Sequence, residues 1–562
     1  MALQLSHMTG VPYSKIYKKL KSKKKFVWIK RLISDGLLTS MKDRLPEGSG
    51  FLYEYKRFYP NQEVAGQVLG AVGVDSQGIE GIEYAYDDVL SGKKTSVAMV
   101  KDAHGRPITF DETLFMETQE GVSLVLTLDT ALQYEVEKEL EAQVKKFDAA
   151  SALGVVQDVK TGEILVMAHY PSYNPNEKMS GGDAWKNKAL TDSFEPGSIF
   201  KVFLMALALE KGIRPSDRFF CENGLFHLNR KDVIREAHNH RFGWLSVQDI
   251  LKHSSNIGAA KMGLKLGKMA YFEKIQSFGF GQKTKLGVSG EVTGIVRPVE
   301  SWSSVDLSNI AFGQGISVTP IQMISAISAI ANNGLMMKPM LIKMKLDSKS
   351  GGLMEEHSEI LKQVVSPEIA KQLTRMMVRT TEKDGTGVLA TLKNYPVAGK
   401  TGTAQKADPE RGGYLTDSYV ASFVGFFPAN APRFSIFVMV DRPKKYHYAS
   451  QVAAPLFRAV AEHTLDFHHI DAKVVKKEDL GFKPLETKKV FKKSESMLLE
   501  QELHYMPNLA GRSMREVLEF SSKTGLQIQV TGSGVAVTQS IEEGNLIQSG
   551  QTCMVTFRAL SQ

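Results

Sequence analysis

The chemistry of this chain centres on three short motifs that combine serine and lysine. Ser198 stands three residues before Lys201, Ser254 stands two residues before Asn256, and Lys400 opens a run of small residues. A serine hydroxyl becomes a nucleophile when a neighbouring group takes its proton, and a lysine amine of lowered pKa can be that group. The set therefore predicts serine acyl transfer that needs no histidine.

Each motif alone is weak evidence, because other segments carry the same letters. Matching runs occur at Ser22–Lys25, Ser91–Lys94, Ser172–Asn174, Lys160–Gly162 and Lys523–Gly525. Short motifs give many false positives, so the context of each copy decides. We interpret Lys160–Gly162 as a hairpin turn between two apolar runs, and the glycine of Lys523–Gly525 as a helix stop.

The context of the three selected motifs favours a shared cleft. Ser198 follows a Pro-Gly pair and precedes the apolar run VFLMALALEKG, which predicts a buried helix beginning at the serine. Lys201 lies one turn further on the same face, and burial would lower its pKa. Ser254 and Asn256 fall at a junction between two predicted helices. Lys400 begins a small-residue segment at a predicted strand edge, followed by two further strand patterns of an antiparallel sheet.

The chain resembles the class B penicillin-binding proteins over nearly its whole length. The three motifs carry the resemblance in the middle of the chain, since they form a known catalytic set. Further stretches that support it are Leu126–Asp129, Thr161–Leu165, Pro171–Pro175, Glu195–Ser198, Ala311–Pro320 and Gly399–Gln405.

The resemblance divides the chain into four predicted parts. Residues 1–118 resemble a pedestal (dimerisation-type) domain, whose start, with FVWIKR at 26–31, is most similar to the division-specific FtsI-type branch. Residues 119–468 resemble the transpeptidase domain, 469–504 are predicted to be a linker, and 505–562 resemble a PASTA module. The predicted fold class is α+β: an antiparallel sheet covered by helices, followed by a small C-terminal α/β module.

The resemblance implies a peptidoglycan D,D-transpeptidase and a role for each motif residue. Ser198 would attack the penultimate D-Ala carbonyl of a stem peptide, and Lys201 would take its proton. Ser254 would relay a proton to the departing D-Ala, and Asn256 would hold the donor-peptide amide. Lys400 would supply a positive electrostatic field and hold the Ser254 side chain in place.

The residues after Lys400 are implied to bind substrate. Thr401 and Thr403 would receive the terminal carboxylate of the stem peptide, with Gly402 between them on the same strand. The backbone N–H groups of Ser198 and Thr403 would form the oxyanion hole. β-Lactams would trap Ser198 because they resemble the D-Ala-D-Ala end. No Cys/His cluster in the sequence has the spacing of a zinc site, and we expect no metal and no cofactor.

Several alternatives share these motifs. The elongation-specific class B branch is the nearest one. A carboxypeptidase would hydrolyse instead of transferring, and a β-lactamase would need a second base for deacylation. A bifunctional class A protein would need a glycosyltransferase domain upstream. A non-catalytic sensor of β-lactams or muropeptides is the alternative from another class.

Two departures from the family pattern concern substrate detail. Ala449-Ser450 stands where the family usually has a Gly-Gly pair, and the segment from Cys221 to Trp244 is unusually basic and rich in histidine. We expect neither departure to touch the catalytic set.

Composition adds a strongly basic start. The formal net charge is +9, and residues 1–31 carry eight Lys, one Arg and no acid. We interpret this segment as a solvated surface, with an anionic-lipid or nucleic-acid patch as the alternative. We expect no nucleic-acid partner. The two cysteines, Cys221 and Cys553, fall in different predicted domains and are not expected to pair.

The family also implies a cellular setting. Its partners would be peptidoglycan stem peptides, β-lactams, an FtsW-type glycosyltransferase and other division proteins. No apolar run reaches the ~18 residues of a membrane span, so we expect the anchor to be a helix upstream of this sequence. The predicted location is the inner membrane of the cell, with the catalytic domain on the periplasmic face.

Overall fold

The computed structural model describes residues 1–52, 54, 56–92, 121–177, 182–347, 352–408, 411–469, 504–543, 545–547 and 550–558. They belong to two units, Met1–Phe482 and Lys483–Gln562. Most of the predicted linker, from residue 470 to 503, and residues 93–118 at the end of the predicted pedestal lie outside the described residues. The bounds of the four predicted parts therefore stay predictions.

An N-terminal lobe, residues 1–92, consists of short helices and one two-stranded antiparallel ladder. The helices are α1 (Ala2–Thr9), α2 (Tyr13–Leu20), α3 (Asp35–Met41), α4 (Gly66–Leu69), α5 (Gly81–Ala85) and α6 (Asp87–Leu90), and the strands are β1 (Ala71–Val72) and β2 (Gly78–Glu80). The Ala65 N–H donates to the buried Glu137 carboxylate at 2.9 Å, which ties the lobe to the domain that follows.

A five-stranded antiparallel sheet forms the centre of this following domain. In sheet order its strands are β14 (Ala398–Ala407), β15 (Tyr414–Phe427), β16 (Phe434–Asp441), β4 (Ser151–Asp158) and β5 (Ile164–Tyr170). Every residue of β4 is buried, as expected of a strand covered on both faces. The turn between β4 and β5 holds Lys160–Gly162, which confirms the predicted hairpin.

Helices cover both faces of the sheet. They are α7 (Thr130–Phe147), α8 (Lys188–Thr191), α9 (Lys201–Glu210), α10 (Val247–Lys252), α11 (Asn256–Leu266), α12 (Lys268–Ser277), α13 (Ser304–Ala311), α14 (Pro320–Ala331), α15 (Pro367–Thr381) and α16 (Ala449–Phe467). Helices α7 and α16 pack on one face and α14 on the other, and α9 packs among α11, α12 and α15. Helix α9 is buried up to its last residue, because its apolar residues cover all sides.

Short strands and 3₁₀ turns complete the domain. The strands are β3 (Ser123–Leu126), β6 (Arg218–Phe220), β7 (Leu225–His227), β8 (Val233–Arg235), β9 (Trp244–Ser246), β10 (Leu335–Met337), β11 (Ile342–Leu346), β12 (Leu353–Glu355) and β13 (Ile360–Gln363). The 3₁₀ turns are Gly197–Phe200, Glu222–Gly224, Ala237–Asn239, Val299–Ser301 and Val388–Ala390. The predicted α+β class, with an antiparallel sheet under helices, is confirmed.

The C-terminal unit is a small α/β fold. Strands β18 (Gln527–Gly532), β21 (Thr552–Arg558) and β19 (Val535–Gln539) form one sheet in that order, and β17 (His504–Tyr505) pairs with β20 (Leu546–Ile547). Helix α17 (Met514–Thr524) ends at Gly525, which has φ 71° and confirms the predicted helix stop. The assignment of this unit to the PASTA modules stays a prediction.

Across the described parts of the chain, no helix combines the length and hydropathy that crossing a membrane requires.

Candidate active site

The nucleophile turn is held by close backbone contacts. Ser198 lies in the 3₁₀ turn Gly197–Phe200, which runs directly into α9. Gly197 has φ 53°, and a Cβ there would lie 2.9 Å from the Thr403 carbonyl oxygen. The Gly197 N–H also donates to the carbonyl of Gly313 at 3.0 Å. Only a glycine fits this position easily, and the turn places Ser198 beside strand β14.

Lys201 lies at the centre of the group. Its Nζ is 3.0 Å from Ser198 Oγ, 3.2 Å from Ser254 Oγ, 2.6 Å from the Ser254 carbonyl and 2.8 Å from Asn256 Oδ1. The side chain has no exposed surface. Burial lowers the pKa of Lys201 to about 7, although the nearby Glu236 carboxylate opposes the shift. A neutral amine is therefore available near neutral pH.

Lys400 approaches from the sheet. It is fully buried on β14, and its Nζ donates to Ser254 Oγ at 3.0 Å. Burial first, and then the charge of Lys201, hold the pKa of Lys400 well below its ordinary value. The Ser254 hydroxyl thus lies between two buried amines.

Ser254 reaches this position through an unusual backbone. It lies between α10 and α11 and has φ 60°, in the left-handed region that non-glycine residues rarely adopt. The predicted helix-to-helix junction is confirmed. Asn256 begins α11, and its Nδ2 donates to the Arg235 carbonyl at 3.2 Å, which fixes the side chain with Oδ1 toward Lys201.

The predicted substrate-binding residues follow Lys400 on β14. Thr401 Oγ1 donates to Thr386 Oγ1 at 3.1 Å, and Thr403 Oγ1 accepts from the Ala449 N–H at 3.0 Å. A Cβ on Gly402 would lie 2.8 Å from the Pro196 carbonyl. The glycine therefore lets β14 lie directly against the nucleophile turn.

Glu236 belongs to the site and was missed by the sequence analysis. This buried carboxylate accepts hydrogen bonds from the Asn256 N–H at 2.6 Å and from the Ser255 hydroxyl. It thereby caps the start of α11. The expectation that the Cys221–Trp244 segment leaves the catalytic set untouched is wrong. The segment carries three acidic residues, and no local pattern distinguishes Glu236 from the other two.

The second departure from the family pattern also reaches the site. The Ala449 N–H donates to Thr403 Oγ1. Ala449 and Ser450 both line the cleft beside Ser198, and this cleft has a volume of about 160 Å³. Thr403 is a predicted substrate-binding residue, so this contact concerns substrate detail, and it does not depend on the side chain at 449 because a main-chain N–H makes it.

Histidine and aromatic rings form one wall of this cleft. His240 stacks on Phe242 with ring centroids 5.2 Å apart, and Phe242 lies 5.9 Å from His253. Burial lowers the pKa of His253. Within the described residues, no cluster of His, Cys, Asp and Glu has the arrangement of a metal site.

Comparison with known proteins places this geometry in a family. Residues 152–462 match the family described as penicillin binding protein transpeptidase domain, and residues 1–126 match the penicillin-binding protein dimerisation domain. The chain belongs to the penicillin-binding proteins. It is a class B member, and its central domain is a serine-type D,D-transpeptidase, an acyltransferase.

Relatives and solved structures agree with this membership. The chain is 32% identical to the peptidoglycan D,D-transpeptidase FtsI of Escherichia coli K12, over 81% of this chain and 75% of that protein. It is 32% identical to the stage V sporulation protein D of Bacillus subtilis, over 98% and 84%. The apo structure of penicillin binding protein 3 from Mycobacterium tuberculosis superposes with a TM-score of 0.66 at 30% identity, over 74% of this chain and 92% of that one.

Proposed function

We propose that this penicillin-binding protein cross-links peptidoglycan stem peptides through an acyl-enzyme on Ser198, during synthesis of the division septum. The observation that carries the proposal is the shared hydroxyl of Ser254. It lies 3.2 Å from the Nζ of Lys201 and 3.0 Å from the Nζ of Lys400, while Lys201 also lies 3.0 Å from Ser198 Oγ.

Acylation begins with a neutral Lys201. A neutral amine has two N–H bonds, and its two shortest contacts are the Ser254 carbonyl and Asn256 Oδ1. Its lone pair is then free to accept the Ser198 proton. Ser198 Oγ attacks the penultimate D-Ala carbonyl carbon, and the carbonyl electron pair moves to the oxygen. The backbone N–H groups of Ser198 and Thr403 stabilise this oxyanion, and each donor contributes roughly 10²- to 10³-fold in rate.

The leaving group then needs a proton. As the C–N bond breaks, Ser254 gives its proton to the departing D-Ala nitrogen and recovers one from protonated Lys201, 3.2 Å away. Lys400 orients the Ser254 hydroxyl by donating to it. Thr401 and Thr403 bind the terminal carboxylate.

Transfer completes the cycle. The amine of a second stem peptide attacks the acyl-enzyme carbonyl, and Lys201, now neutral again, accepts the proton that this amine loses. Lys201 then gives that proton to Ser198 Oγ as the ester bond breaks. A β-lactam enters by the same acylation step. The leaving amine of a β-lactam stays attached to the acyl product, and it therefore blocks the approach of the acceptor amine. One similar solved structure, of Mycobacterium tuberculosis penicillin binding protein 3, holds ampicillin.

The test joins covalent labelling to turnover. Fluorescent penicillin should label the protein, and mass spectrometry should find the adduct on the peptide that contains Ser198. The protein should also hydrolyse a thioester analogue of the stem peptide. Ser198→Ala should lose both activities, whereas Ser22→Ala, which alters another Ser-x-x-Lys run, should keep both.

Two results would overturn the proposal. Labelling that persists in Ser198→Ala would place the nucleophile elsewhere. Labelling of the unaltered protein without thioester turnover would favour a sensor.

The septal role, the inner-membrane location with a periplasmic catalytic domain, and an FtsW-type glycosyltransferase partner are the finer parts of this proposal. The likeness to FtsI supports them. Cells depleted of the protein should grow as filaments, and a fluorescent fusion should gather at midcell. Rounded cells with unaffected division would support the elongation-specific branch instead.

A further inference from the structure

A strongly basic surface lies on the N-terminal lobe, far in sequence from the catalytic motifs. This basic surface, residues 13–30, carries eight lysines and no Asp or Glu, and all eight side chains are exposed. Among the described residues of the lobe, the ion pairs use Arg31 and Arg57 instead of these lysines. Lys19 and Lys30 donate to the carbonyls of Trp28 and Thr9, each at 2.6 Å, but their charges, like those of the other lysines, are not neutralised by these contacts.

The same surface presents aromatic rings to solvent. Tyr13 and Tyr17 stack with centroids 5.7 Å apart on α2, and nearly half of each side chain is exposed, while Ile16 faces inward and is buried. Phe26 is 57% exposed and packs edge-on against Trp28. Cations interleaved with amphipathic rings are typical of segments that lie in a membrane interface.

A cavity of about 620 Å³ adjoins the basic surface. Its lining includes the apolar side chains of Leu5, Leu38 and Met41 together with Lys24 and Lys25. Two acidic residues line it as well: Asp35, and Glu54, whose carboxylate is paired with Arg31. The lining is thus mixed, with six basic and two acidic residues beside the apolar ones. A mixed lining whose charged residues are mainly basic suits a ligand with an anionic head and a hydrocarbon tail.

We propose that the basic surface docks on a bilayer of anionic phospholipid. The lysines bind headgroup phosphates, the rings of Tyr13, Tyr17 and Phe26 enter the interface, and the cavity accepts part of an acyl chain. A phosphate polymer such as a nucleic acid would use the lysines, but it has no acyl chain for the apolar part of the cavity. Docking would orient the lobe on the membrane surface.

The test is cosedimentation of the full chain with vesicles. The protein should bind vesicles of phosphatidylcholine mixed with phosphatidylglycerol, should bind pure phosphatidylcholine much less, and should be released as salt rises. Each lysine near an anionic surface strengthens binding about fivefold. The triple variant Lys23→Gln, Lys24→Gln, Lys25→Gln should therefore bind on the order of a hundredfold more weakly.

A matched triple variant distinguishes the effect of the basic surface on vesicle binding from the effect of net charge. Lys283→Gln, Lys371→Gln and Lys393→Gln remove the same charge from exposed sites elsewhere and should leave vesicle binding nearly unchanged. Penicillin labelling of all variants, which does not depend on vesicles, reports that each is folded.

Three outcomes would overturn the docking proposal. They are equal binding to neutral and anionic vesicles, equal losses in the two triple variants, and binding to polyphosphate or RNA with none to vesicles. None of them bears on Ser198 chemistry.

Discussion

The Glu236 carboxylate accepts a hydrogen bond from the backbone N–H of Asn256 at 2.6 Å. This contact joins the segment before β9 to the second catalytic motif. The same buried group also accepts from Ser255 and, at 3.4 Å, from the N–H of Ile257. A negative charge at the start of a helix is stabilising, so Glu236 fixes the orientation from which Asn256 reaches Lys201.

Replacing Glu236 should shift the pH profile of acylation. The charge of Glu236 raises the pKa of Lys201, so Glu236→Gln should lower that pKa and move the rising limb of the rate to more acidic pH. The second-order rate of penicillin acylation against pH measures the shift. Glu222→Gln, in the same segment but paired with Lys261, is the control. If the acylation rate of Glu236→Gln is lower but rises over the same pH range as in the unaltered protein, Glu236 has only a structural role.

In the unaltered enzyme, the pKa of Lys201 should control how the acylation rate rises with pH. The amine must be neutral to take the Ser198 proton, and burial lowers its pKa to about 7. Acylation should therefore rise as pH increases through about 7 and level off above it. Lys201→Arg keeps a cation that cannot deprotonate, so it should lose acylation at every pH. An acylation rate that rises only near pH 10 in the unaltered protein would contradict the lowering of the Lys201 pKa by burial.

Removing the shared hydroxyl should slow acylation. Ser254→Ala deletes the group that contacts both amines, and a hydrogen bond to a charged group contributes about 1.5–3 kcal/mol. The acylation rate should fall by about 10- to 100-fold. Ser254→Gly, which suits the φ of 60°, should show the same loss, and exposed Ser301→Ala should show none. Recovery in the glycine variant would mean that backbone strain, not the hydroxyl, set the rate.

A side chain on Gly402 should separate β14 from the nucleophile turn. Its Cβ would lie 2.7 Å from Ser422 Oγ, 2.8 Å from the Pro196 carbonyl and 2.9 Å from Ile199 Cγ1. Overpacking of this kind costs about 1–3 kcal/mol, so Gly402→Ala should lower both the unfolding free energy and acylation. Gly36→Ala, which meets no atom within 4 Å, should do neither. Thermal unfolding and labelling measure the two effects.

The sequence predicts those parts of the site that depend on local pattern. The spacing of Ser198 and Lys201, the junction at Ser254 and the strand at Lys400 all follow from residues within a few positions of each motif. Glu236 could not be predicted in this way. It lies twenty residues before Asn256, and only the folding of β7 and β8 brings its carboxylate under α11.

The fold is likewise predictable from the sequence only where local patterns specify it. Strands β4, β15 and β16 are long apolar runs, which sequence patterns identify. The position of β4 between β16 and β5 requires pairing between distant segments, and no local pattern specifies it. The contact of Ala449 with Thr403 is also invisible in sequence, because it is made by a main-chain N–H.

The reactive group is assembled from three distant stretches of chain, around Ser198, Ser254 and Lys400. An unfolded molecule has none of their mutual contacts, and its lysines would be solvated cations unable to activate the serine. Fluorescent penicillin thus counts only natively folded copies. The ratio of dye to total protein gives a direct measure of the active fraction in any preparation, including one recovered from aggregates.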